Sequence, residues 1–425
     1  MKKKGTILLI HAEELVTCSG FEAKKGPEAM NDLGIIKDGA VYIVDGMIQK
    51  VGPTKDVLSH VSTEGVEVID CTGKTVMPGF VDSHTHFIFG GYRAEEFSWR
   101  LAGDSYVSIM ERGGGIVNSV RQTAAASKEE LIAVGKKRLD SMIRFGVTTV
   151  EGKSGYGLEF DTEIKQLEAM ASLQESHSID IVPTFLGAHA VPKEYKGRED
   201  EMIEYFIKDV LPTVKERNLA EFCDIFCEQN VFTVDQSRRM LEAGKEFGMT
   251  PKIHADEIVQ LGGAELAAEV GAASADHLLQ ASDEGIAKMA KAGVVATILP
   301  GTAYSLKEPF ARARYMIDQG CAVALATDFN PGSCFTESVP LILSLATLKM
   351  GMTTEEAITA LTINGAAAVN RADRVGSIDE GKEGDVVIHE FPSFRFLPYH
   401  IGVTTVEKVV KAGRMIYDRD AIEIL

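Results

Sequence analysis

The histidines of this chain occupy positions that suit metal chemistry. His84 and His86 end an apolar run that starts at residue 76 and contains a Pro-Gly pair. Side chains two residues apart on a strand point to the same face, so both imidazoles would leave one strand end together. Two neutral imidazoles on a rigid strand are half of a metal site. A His-x-His pair alone is weak support, because such pairs also occur by chance.

Polar side chains also lie where other apolar runs end. Lys153 and Glu228 lie at two such ends, and Tyr156 follows the first of them. The chain has ten histidines, and five fall at or near strand ends: His84, His86, His189, His254 and His277. One such histidine is more often structural than functional. Five at the ends of successive strands indicate a common site.

A single metal ion would find a suitable set of ligands among these residues. Three imidazoles and one carboxylate, with room for a water molecule, would come from His84, His86, His254 and Asp328. A divalent metal held there would lower the pKa of that water to about 7. This pattern predicts metal-assisted hydrolysis.

Two further residues are candidates for handling protons. Glu257 lies three positions after His254 and could take a proton from the water and return it to a leaving nitrogen. A carboxylate in the first turn of a helix is the alternative for Glu257, and the two interpretations are compatible. We interpret His277 as a donor that polarises the substrate carbonyl, with a buried, hydrogen-bonded histidine as the alternative.

The elements that must position these residues alternate in type from residue 75 onward. The sequence predicts strands at 76–82, 147–153, 180–189, 222–228, 250–256, 274–279, 294–299 and 322–328. Amphipathic stretches between them predict helices at 128–145, 161–175, 199–217, 235–247 and 283–292. This order predicts an α/β fold, a (β/α)8 TIM-type barrel over residues 76–372. An open doubly wound sheet is the alternative, but no Gly-x-Gly-x-x-Gly follows a strand.

Both ends of the chain show strands without helices between them. Short apolar runs occur at 7–10, 39–44, 47–51 and 66–70, then at 385–389, 406–411 and 413–417. Asp45-Gly46 between two such runs predicts a hairpin. Because the ends of a barrel lie near each other, we expect residues 1–75 and 373–425 to form one small β-sandwich-like domain.

Composition limits the classes of partner. Acidic residues outnumber basic ones by 62 to 44 among 425 residues, which argues against nucleic acid or an anionic membrane as a partner. No run approaches the roughly 18 apolar residues of a membrane span, and the short apolar stretch after Lys4 is interrupted by charge. Six scattered cysteines do not indicate a disulfide framework. We expect a cytoplasmic enzyme with a small-molecule substrate.

The same residues resemble the amidohydrolase superfamily, whose members hydrolyse C–N bonds of cyclic amides, amidines and aminated rings. The resemblance rests on the His-x-His after Pro-Gly-Phe-Val-Asp, on His254 and His277, and on Asp328. Many two-metal members carry a bridging carboxylated lysine on the fourth strand, and the predicted fourth strand here contains no lysine. The resemblance therefore implies one divalent metal ion per chain, zinc or iron, as in the cytosine deaminase-like members with His-x-x-Glu.

Within the superfamily, the motifs are most similar to the enzymes that hydrolyse imidazolonepropionate to formiminoglutamate in histidine degradation. The matching stretches begin at positions 82, 91, 113, 153, 184, 254, 274 and 327 and run in order through the predicted barrel. The resemblance implies that the substrate is bound by Arg93, Tyr156, His189, Glu257, Asn330, Gly332 and Ser333. It also implies that His189 takes part in catalysis with Glu257 and His277.

The chemistry of this substrate assigns Arg93 a specific task. Its guanidinium would form a two-pronged pair with the propionate arm, whereas the residues alone would favour a solvated surface arginine.

The sequence leaves other functions open. A one-metal deaminase of cytosine or guanine would share the ligands but would not need Arg93, because its substrate lacks a carboxylate arm. A non-catalytic scaffold would have lost ligands, and all of the expected ligands are present. The sequence does not distinguish zinc from iron, and it leaves the oligomeric state open, with a homodimer as one option.

Overall fold

The computed structural model describes residues 4–104 and 112–421. Its strands, in chain order, are β1 Ile7–Val16, β2 Ile35–Val44, β3 Met47–Pro53, β4 Glu67–Asp70, β5 Thr75–Pro78, β6 Phe80–Asp82, β7 Val147–Lys153, β8 Asp180–Ala188, β9 Phe222–Cys227, β10 Thr250–Ala255, β11 Ser274–His277, β12 Val295–Ile298, β13 Val323–Leu325, β14 Val386–His389, β15 Val406–Lys411 and β16 Arg414–Asp418.

Most of the α-helices follow strand β6 in the chain, and the first two lie between the N-terminal strands. They are α1 Gly26–Asn31, α2 Thr54–Leu58, α3 Ala94–Leu101, α4 Ile116–Ala125, α5 Lys128–Arg144, α6 Phe160–Ser176, α7 Glu199–Tyr205, α8 Leu211–Glu216, α9 Val234–Glu246, α10 Gly263–Val270, α11 Asp283–Ala292, α12 Pro300–Leu306, α13 Ala313–Asp318, α14 Val339–Lys349, α15 Thr354–Leu361, α16 Ile363–Ala368 and α17 Phe396–Tyr399. In the described ranges, no helix is both long and apolar enough to cross a membrane.

Strands β6 to β13 form a parallel barrel, each pairing with the next along the chain. The first and last strands meet just beyond their ends, where Thr85 and Phe329 form a parallel bridge. The barrel strands are buried on both faces, as in β7, where every residue is buried. That burial explains their continuous apolar runs. The predicted (β/α)8 fold is confirmed.

The helices have local signals that define their starts. Helices α5, α9 and α15 each begin with a capping box, at Ser127, Thr233 and Thr353. The stretch 199–217, predicted as one helix, is instead α7, a single π-helical turn at Phe206–Val210, and α8. Pro212 lies at the start of α8. Because proline has no N–H to donate to the preceding turn, a regular α-helix cannot run through this point.

A second, mainly antiparallel sheet combines strands from both ends of the chain. Its order is β16-β15-β14-β5-β1-β2-β3, with β4 paired to β1. Strand β14 pairs antiparallel with β5, placing Val387 opposite Met77. The predicted hairpin at Asp45-Gly46 connects β2 and β3, and both turn residues have positive φ, at 48° and 82°.

The prediction of one strand over residues 76–82 is wrong. The run divides at Gly79 into β5, which belongs to the small sheet, and β6, which belongs to the barrel. A Cβ at Gly79 would lie 2.2 Å from Thr148 Oγ1, so the backbone passes too close to β7 for a side chain. Both halves are apolar because both are buried, and hydrophobicity alone does not show that they enter different sheets.

Candidate active site and metal centre

The closure of the barrel brings the first and last strands together at their carboxyl ends. The amide of His86 donates to the carbonyl of Phe329 at 2.9 Å, and the amide of Asp328 donates to the carbonyl of His84 at 3.0 Å. These bonds place Asp328 Oδ1 3.5 Å from His84 Nε2 and 3.6 Å from His86 Nε2. The carboxylate therefore faces both imidazoles.

His254, at the end of β10, is the fourth predicted metal ligand and lies beside His84 and His86. One nitrogen from each of His84, His86 and His254 lies within 4.8 Å of the others. The Nδ1 atom of His84 lies 2.7 Å from Asp276 Oδ2, and Nδ1 of His254 lies 3.1 Å from Asp224 Oδ2. A carboxylate accepts from N–H, so these contacts assign the proton to Nδ1 and leave a lone pair on Nε2.

The donor atoms fit a divalent metal ion. Nε2 of His84 and Nε2 of His254 are buried and have no hydrogen-bond partner within residues 4–104 and 112–421. A buried nitrogen without a hydrogen-bond partner lowers the stability of the folded protein. A cation bound among these nitrogens and Asp328 would satisfy them, and three imidazoles with one carboxylate are ligands that zinc and iron accept.

The electrostatics of these groups follow from their burial. Burial, with the nearby charge of Lys153, holds the pKa of His84 and of His254 well below the usual value, so both are neutral. Burial also raises the pKa of Asp328 to about 7. Thr302 donates to Oδ2 of that carboxylate at 2.5 Å, which directs its other oxygen toward the imidazoles.

Glu257 and His277 lie together beside the predicted ligands. Glu257 Oε1 is 3.5 Å from His277 Nδ1. Burial, with the charges of Asp328 and Glu228, raises the pKa of Glu257 to about 8. Burial lowers the pKa of His277 to about 4, so this imidazole is neutral. One nitrogen of His277 also lies within 4.8 Å of ligand atoms of His84 and Asp328, so its ring borders the metal position.

Two carboxylates that the sequence analysis did not assign hold the loop of Glu257. Asp256 accepts from the amides of four residues at the start of α10: Leu261, Gly262, Gly263 and Ala264. Glu228 accepts from the amide of Ile258 at 2.8 Å. The available signal was an acidic residue directly before Glu257 and shortly ahead of a helix. These bonds fix the position of Glu257 relative to the barrel.

Arg93 lies at the rim of the site, immediately before α3. Its Nε donates to Glu96 Oε2 at 2.8 Å. A Cβ on Gly332 would lie 2.2 Å from Arg93 Nη1, so the guanidinium rests against the loop that follows β13. The structure therefore brings Arg93 and Gly332 together, and among residues 4–104 and 112–421 the two Nη groups of the guanidinium make no hydrogen bond.

Tyr156 and His189 line the same region. The His189 ring stacks on that of His86, with centroids 4.9 Å apart and planes 11° apart. Its Nδ1 lies 2.9 Å from the carbonyl of Gly155, which leaves Nε2 as the acceptor. The Tyr156 ring is 5.5 Å from the His189 ring and 5.8 Å from the His86 ring. Burial raises the pKa of Tyr156, so its hydroxyl is a neutral donor.

Asn330 uses its side chain inside its own loop. Oδ1 accepts from the amides of Gly332 and Ser333, each at 2.8 Å, and Nδ2 donates to the carbonyl of Asp328 and to Ser333 Oγ. The Asn330 amide therefore shapes the turn after the carboxylate, and the substrate contact that the resemblance implies for Asn330 stays a prediction. The turn is what holds Gly332 against Arg93.

Comparison with known proteins agrees with this arrangement. A profile of the amidohydrolase family matches residues 75–416. The imidazolonepropionase of Clostridium tetani is 61% identical over 417 residues, covering 98% of this chain and 99% of that protein. The imidazolonepropionase of Parabacteroides distasonis is 56% identical over 409 residues, with 96% and 98% covered. This chain belongs to the amidohydrolase family, among the imidazolonepropionases.

The fold of this amidohydrolase occurs in more distant relatives as well. An adenosine deaminase from Xanthomonas campestris with bound zinc has a TM-score of 0.73 at 18% identity, covering 100% of this chain and 96% of that one. At this identity the likeness concerns the fold alone. The resemblance to the amidohydrolase superfamily that the motifs predict is confirmed.

The interior of this amidohydrolase also holds charges to which the sequence analysis gave no role. Five fully buried charged side chains lie on barrel strands β7, β9, β10 and β11: Glu151, Lys153, Asp224, Lys252 and Asp276. Charged residues in the middle of apolar runs were the available signal, because a strand buried on both faces excludes them unless they are paired.

Proposed function

We propose that this amidohydrolase opens the ring of 4-imidazolone-5-propanoate by hydrolysis of its cyclic amide, giving N-formimino-L-glutamate in histidine degradation. The observation that carries the proposal is that one loop joins the two groups: Asp328 faces the imidazoles, and Gly332, four residues later, lies against the guanidinium of Arg93. Relatives that are 55–61% identical over nearly their whole length have the name of this activity. A carboxylate-bearing cyclic amide is the substrate that such a pocket suits.

The proposal includes one divalent metal ion per chain, zinc or iron, bound by His84, His86, His254 and Asp328. When bound, the ion supplies Lewis acidity that makes water nucleophilic near neutral pH. Three neutral imidazoles and one carboxylate would leave a net charge of about +1 at the ion, which favours water ionisation. The absence of a lysine from β9, the fourth barrel strand, supports a single ion, as the family resemblance implies.

Glu257 is the proton carrier in this proposal. Water adds to the ring carbonyl, and the Glu257 carboxylate takes a proton from it. The carbonyl C–N bond then breaks, and Glu257 returns the proton to the ring nitrogen, which becomes the formimino nitrogen while the carbon becomes a carboxylate. Its raised pKa suits a group that must both accept and release a proton near neutral pH.

His277 and His189 act on the ring of the substrate. His277 is neutral and lies beside Glu257, so it can donate one N–H to the ring carbonyl as negative charge develops on the oxygen. His189 presents Nε2 toward the pocket as an acceptor for a ring N–H. Tyr156 would provide a neutral hydroxyl donor from the same wall.

Arg93 binds the propionate arm. Glu96 holds Nε of Arg93, so the free Nη edge offers two N–H groups to a carboxylate. Gly332 and Ser333, held by Asn330, would complete the pocket with backbone and hydroxyl groups.

A one-metal deaminase of cytosine or guanine is the competing function. It would use the same ligands but would have no use for a guanidinium held in the pocket. Incubating the metal-loaded protein with imidazolonepropionate and, separately, with cytosine and guanine tests the choice. We expect ring opening of imidazolonepropionate and no ammonia release from the bases. Ammonia release from cytosine or guanine without ring opening of imidazolonepropionate would favour the deaminase function instead.

Other expectations from the sequence stay proposals. We propose that both chain ends form one small domain, supported by the pairing of β14 with β5; because β5 ends at Pro78, the first boundary lies near residue 78 and not at 75, with the second near 372. The net charge of −18 supports the absence of nucleic-acid and membrane partners. A homodimer and a cytoplasmic location stay predictions.

A further inference from the structure

Two cations and three anions are buried beside the metal position. Glu151, Lys153, Asp224, Lys252 and Asp276 each have no exposed surface. Burying five charges is unfavourable unless each is paired and hydrogen-bonded. The ion pairs among these five side chains, and their contacts with the proposed ligand histidines, indicate the role of the cluster.

Lys153 donates hydrogen bonds to two of the carboxylates and forms an ion pair with the third. Its Nζ lies 2.7 Å from Asp224 Oδ2, 2.9 Å from Glu151 Oε1 and 3.5 Å from Asp276 Oδ2. Burial opposes the charge, but the three carboxylates outweigh burial and raise the pKa of Lys153, so the group is an ammonium. A single ammonium thus joins side chains from β7, β9 and β11.

Two of these carboxylates also orient metal-facing imidazoles. Asp276 Oδ2 is 2.7 Å from Nδ1 of His84, and Asp224 Oδ2 is 3.1 Å from Nδ1 of His254. Asp276 uses Oδ2 for both His84 and Lys153, whereas Asp224 accepts from Lys153 through Oδ2 and from Nδ1 of His254 through Oδ1 at 3.2 Å. The ammonium therefore fixes the rotamer of each aspartate, and each aspartate fixes the tautomer of its histidine.

We propose that Lys153 is a positioning residue for the metal centre: it couples the two Asp–His pairs so that Nε2 of His84 and Nε2 of His254 both face the ion. The inference rests on the metal site in the proposed function, and it adds a determinant of metal affinity that is not itself a ligand. Partners that orient ligand histidines typically change metal affinity by 10- to 100-fold when removed. Lys153 would act on both histidines at once.

The two pairs do not depend on Lys153 equally. Asp276 also accepts from Ser274 Oγ at 2.6 Å and has Lys252 at 3.9 Å. Within the described ranges, the ion pairs of Asp224 are those with Lys153 and His254, and its other hydrogen bond is from the amide of the adjacent Ile225, at 2.7 Å. Loss of the ammonium would therefore disturb His254 more than His84.

Lys252 provides a matched control within the same cluster. It is buried to the same extent, and its Nζ lies 3.1 Å from Glu151 Oε2. Its hydrogen bonds go to the carbonyls of Ser83 and Ala368, at 3.2 and 3.3 Å. Lys252→Met removes one buried positive charge, as Lys153→Met does, but it breaks no hydrogen bond to an aspartate that orients a ligand.

The experiment compares zinc affinity and cobalt spectra of Lys153→Met, Lys252→Met and the wild-type chain. Zinc affinity is measured by competition with a chelator, starting from metal-free protein whose folding is checked by circular dichroism. We expect Lys153→Met to bind zinc roughly 10- to 100-fold more weakly, and Lys252→Met to lose clearly less zinc affinity than Lys153→Met. The visible absorption of the cobalt(II) form should change in Lys153→Met, because His254 is released from its fixed orientation.

Equal zinc affinities and cobalt spectra in Lys153→Met and wild type would overturn the inference, as would equal losses in both lysine variants. If Lys153→Met does not fold, Asp224→Asn breaks the same link without changing volume. That variant should weaken zinc binding to a similar degree, and wild-type affinity in it would equally overturn the inference. Failure of the wild-type chain to bind zinc, iron or cobalt would instead contradict the proposed function.

Discussion

Replacing Arg93 with alanine should weaken the use of imidazolonepropionate mainly through KM. The side chain is 17% exposed, and Glu96 holds its Nε, so the guanidinium is already oriented and partly shielded from water. A hydrogen bond to a charged group contributes about 1.5–3 kcal/mol. Because 1.36 kcal/mol corresponds to tenfold, kcat/KM should fall by roughly 10- to 150-fold. The arm is bound equally before and during reaction, so kcat should change little.

Three further variants make this prediction specific. Gly332→Ala would place a Cβ 2.2 Å from Arg93 Nη1, so the guanidinium must move although its charge is kept. We expect an intermediate rise in KM. Arg93→Lys should recover part of the loss, because an ammonium lacks the planar fork. Arg100→Ala removes a guanidinium from the same helix, where it bonds to Ser305, and should leave KM near wild type.

The assay is the steady-state rate of imidazolonepropionate consumption, with metal content measured on the same samples. Metal content should be equal in all four variants, because none of these residues is a proposed ligand. Unchanged kcat/KM in Arg93→Ala would refute the reasoning and would mean that the carboxylate arm is bound elsewhere.

Three other outcomes follow from the site. Glu257→Gln should lower kcat by roughly 100- to 10,000-fold with the metal retained; near-normal turnover would exclude the proton-carrier role, and loss of metal would make Glu257 a ligand. Elemental analysis should give one divalent ion per chain, and a reproducible two, both needed for activity, would contradict the single site. In the metal-free protein, the pKa of Glu257 is about 8, above its unfolded value of 4.5, so the folded state holds the extra proton between these values. The contribution of Glu257 to the free energy of unfolding should therefore fall as pH rises from 6.5 to 8, by at most about 1.4 kcal/mol per pH unit. The buried imidazoles contribute an opposite slope as their unfolded forms lose protons near pH 6.5, and this slope is common to wild type and variant. Thermal midpoints of chelated wild type and Glu257→Gln measure this, and a wild-type slope equal to that of the variant would count against it.

The sequence could predict the site where strand geometry decides position. His84 and His86 share a face because strand side chains alternate, and the parallel arrangement places His254 and Asp328 at the same barrel end. The sequence also predicts the barrel strands in order, because each is a mainly apolar run followed by a turn signal, although the first run includes β5 of the small sheet. These conclusions depend on local patterns that tertiary contacts do not alter.

What the sequence could not predict depends on contacts between distant residues. Gly79 divides one apolar run between two sheets, and only the approach of β7 shows why. The bonds of Lys153 to Asp224 and Asp276 join residues that are 71 and 123 positions apart in the chain. The family resemblance implies that Asn330 contacts substrate, and the sequence does not show that its amide also bonds within its own loop. In each case the residue type marks the position as unusual, but the sequence does not identify the residue that it contacts.

The central claim is metal-dependent ring opening, and one measurement tests it most directly. Purified protein is treated with a chelator, divided, and assayed for conversion of imidazolonepropionate to N-formimino-L-glutamate before and after addition of zinc or iron(II). We predict no turnover above the uncatalysed rate without metal and full turnover once about one ion per chain is bound. Turnover that persists in metal-free protein, or its absence from protein shown to hold the ion, would contradict the account.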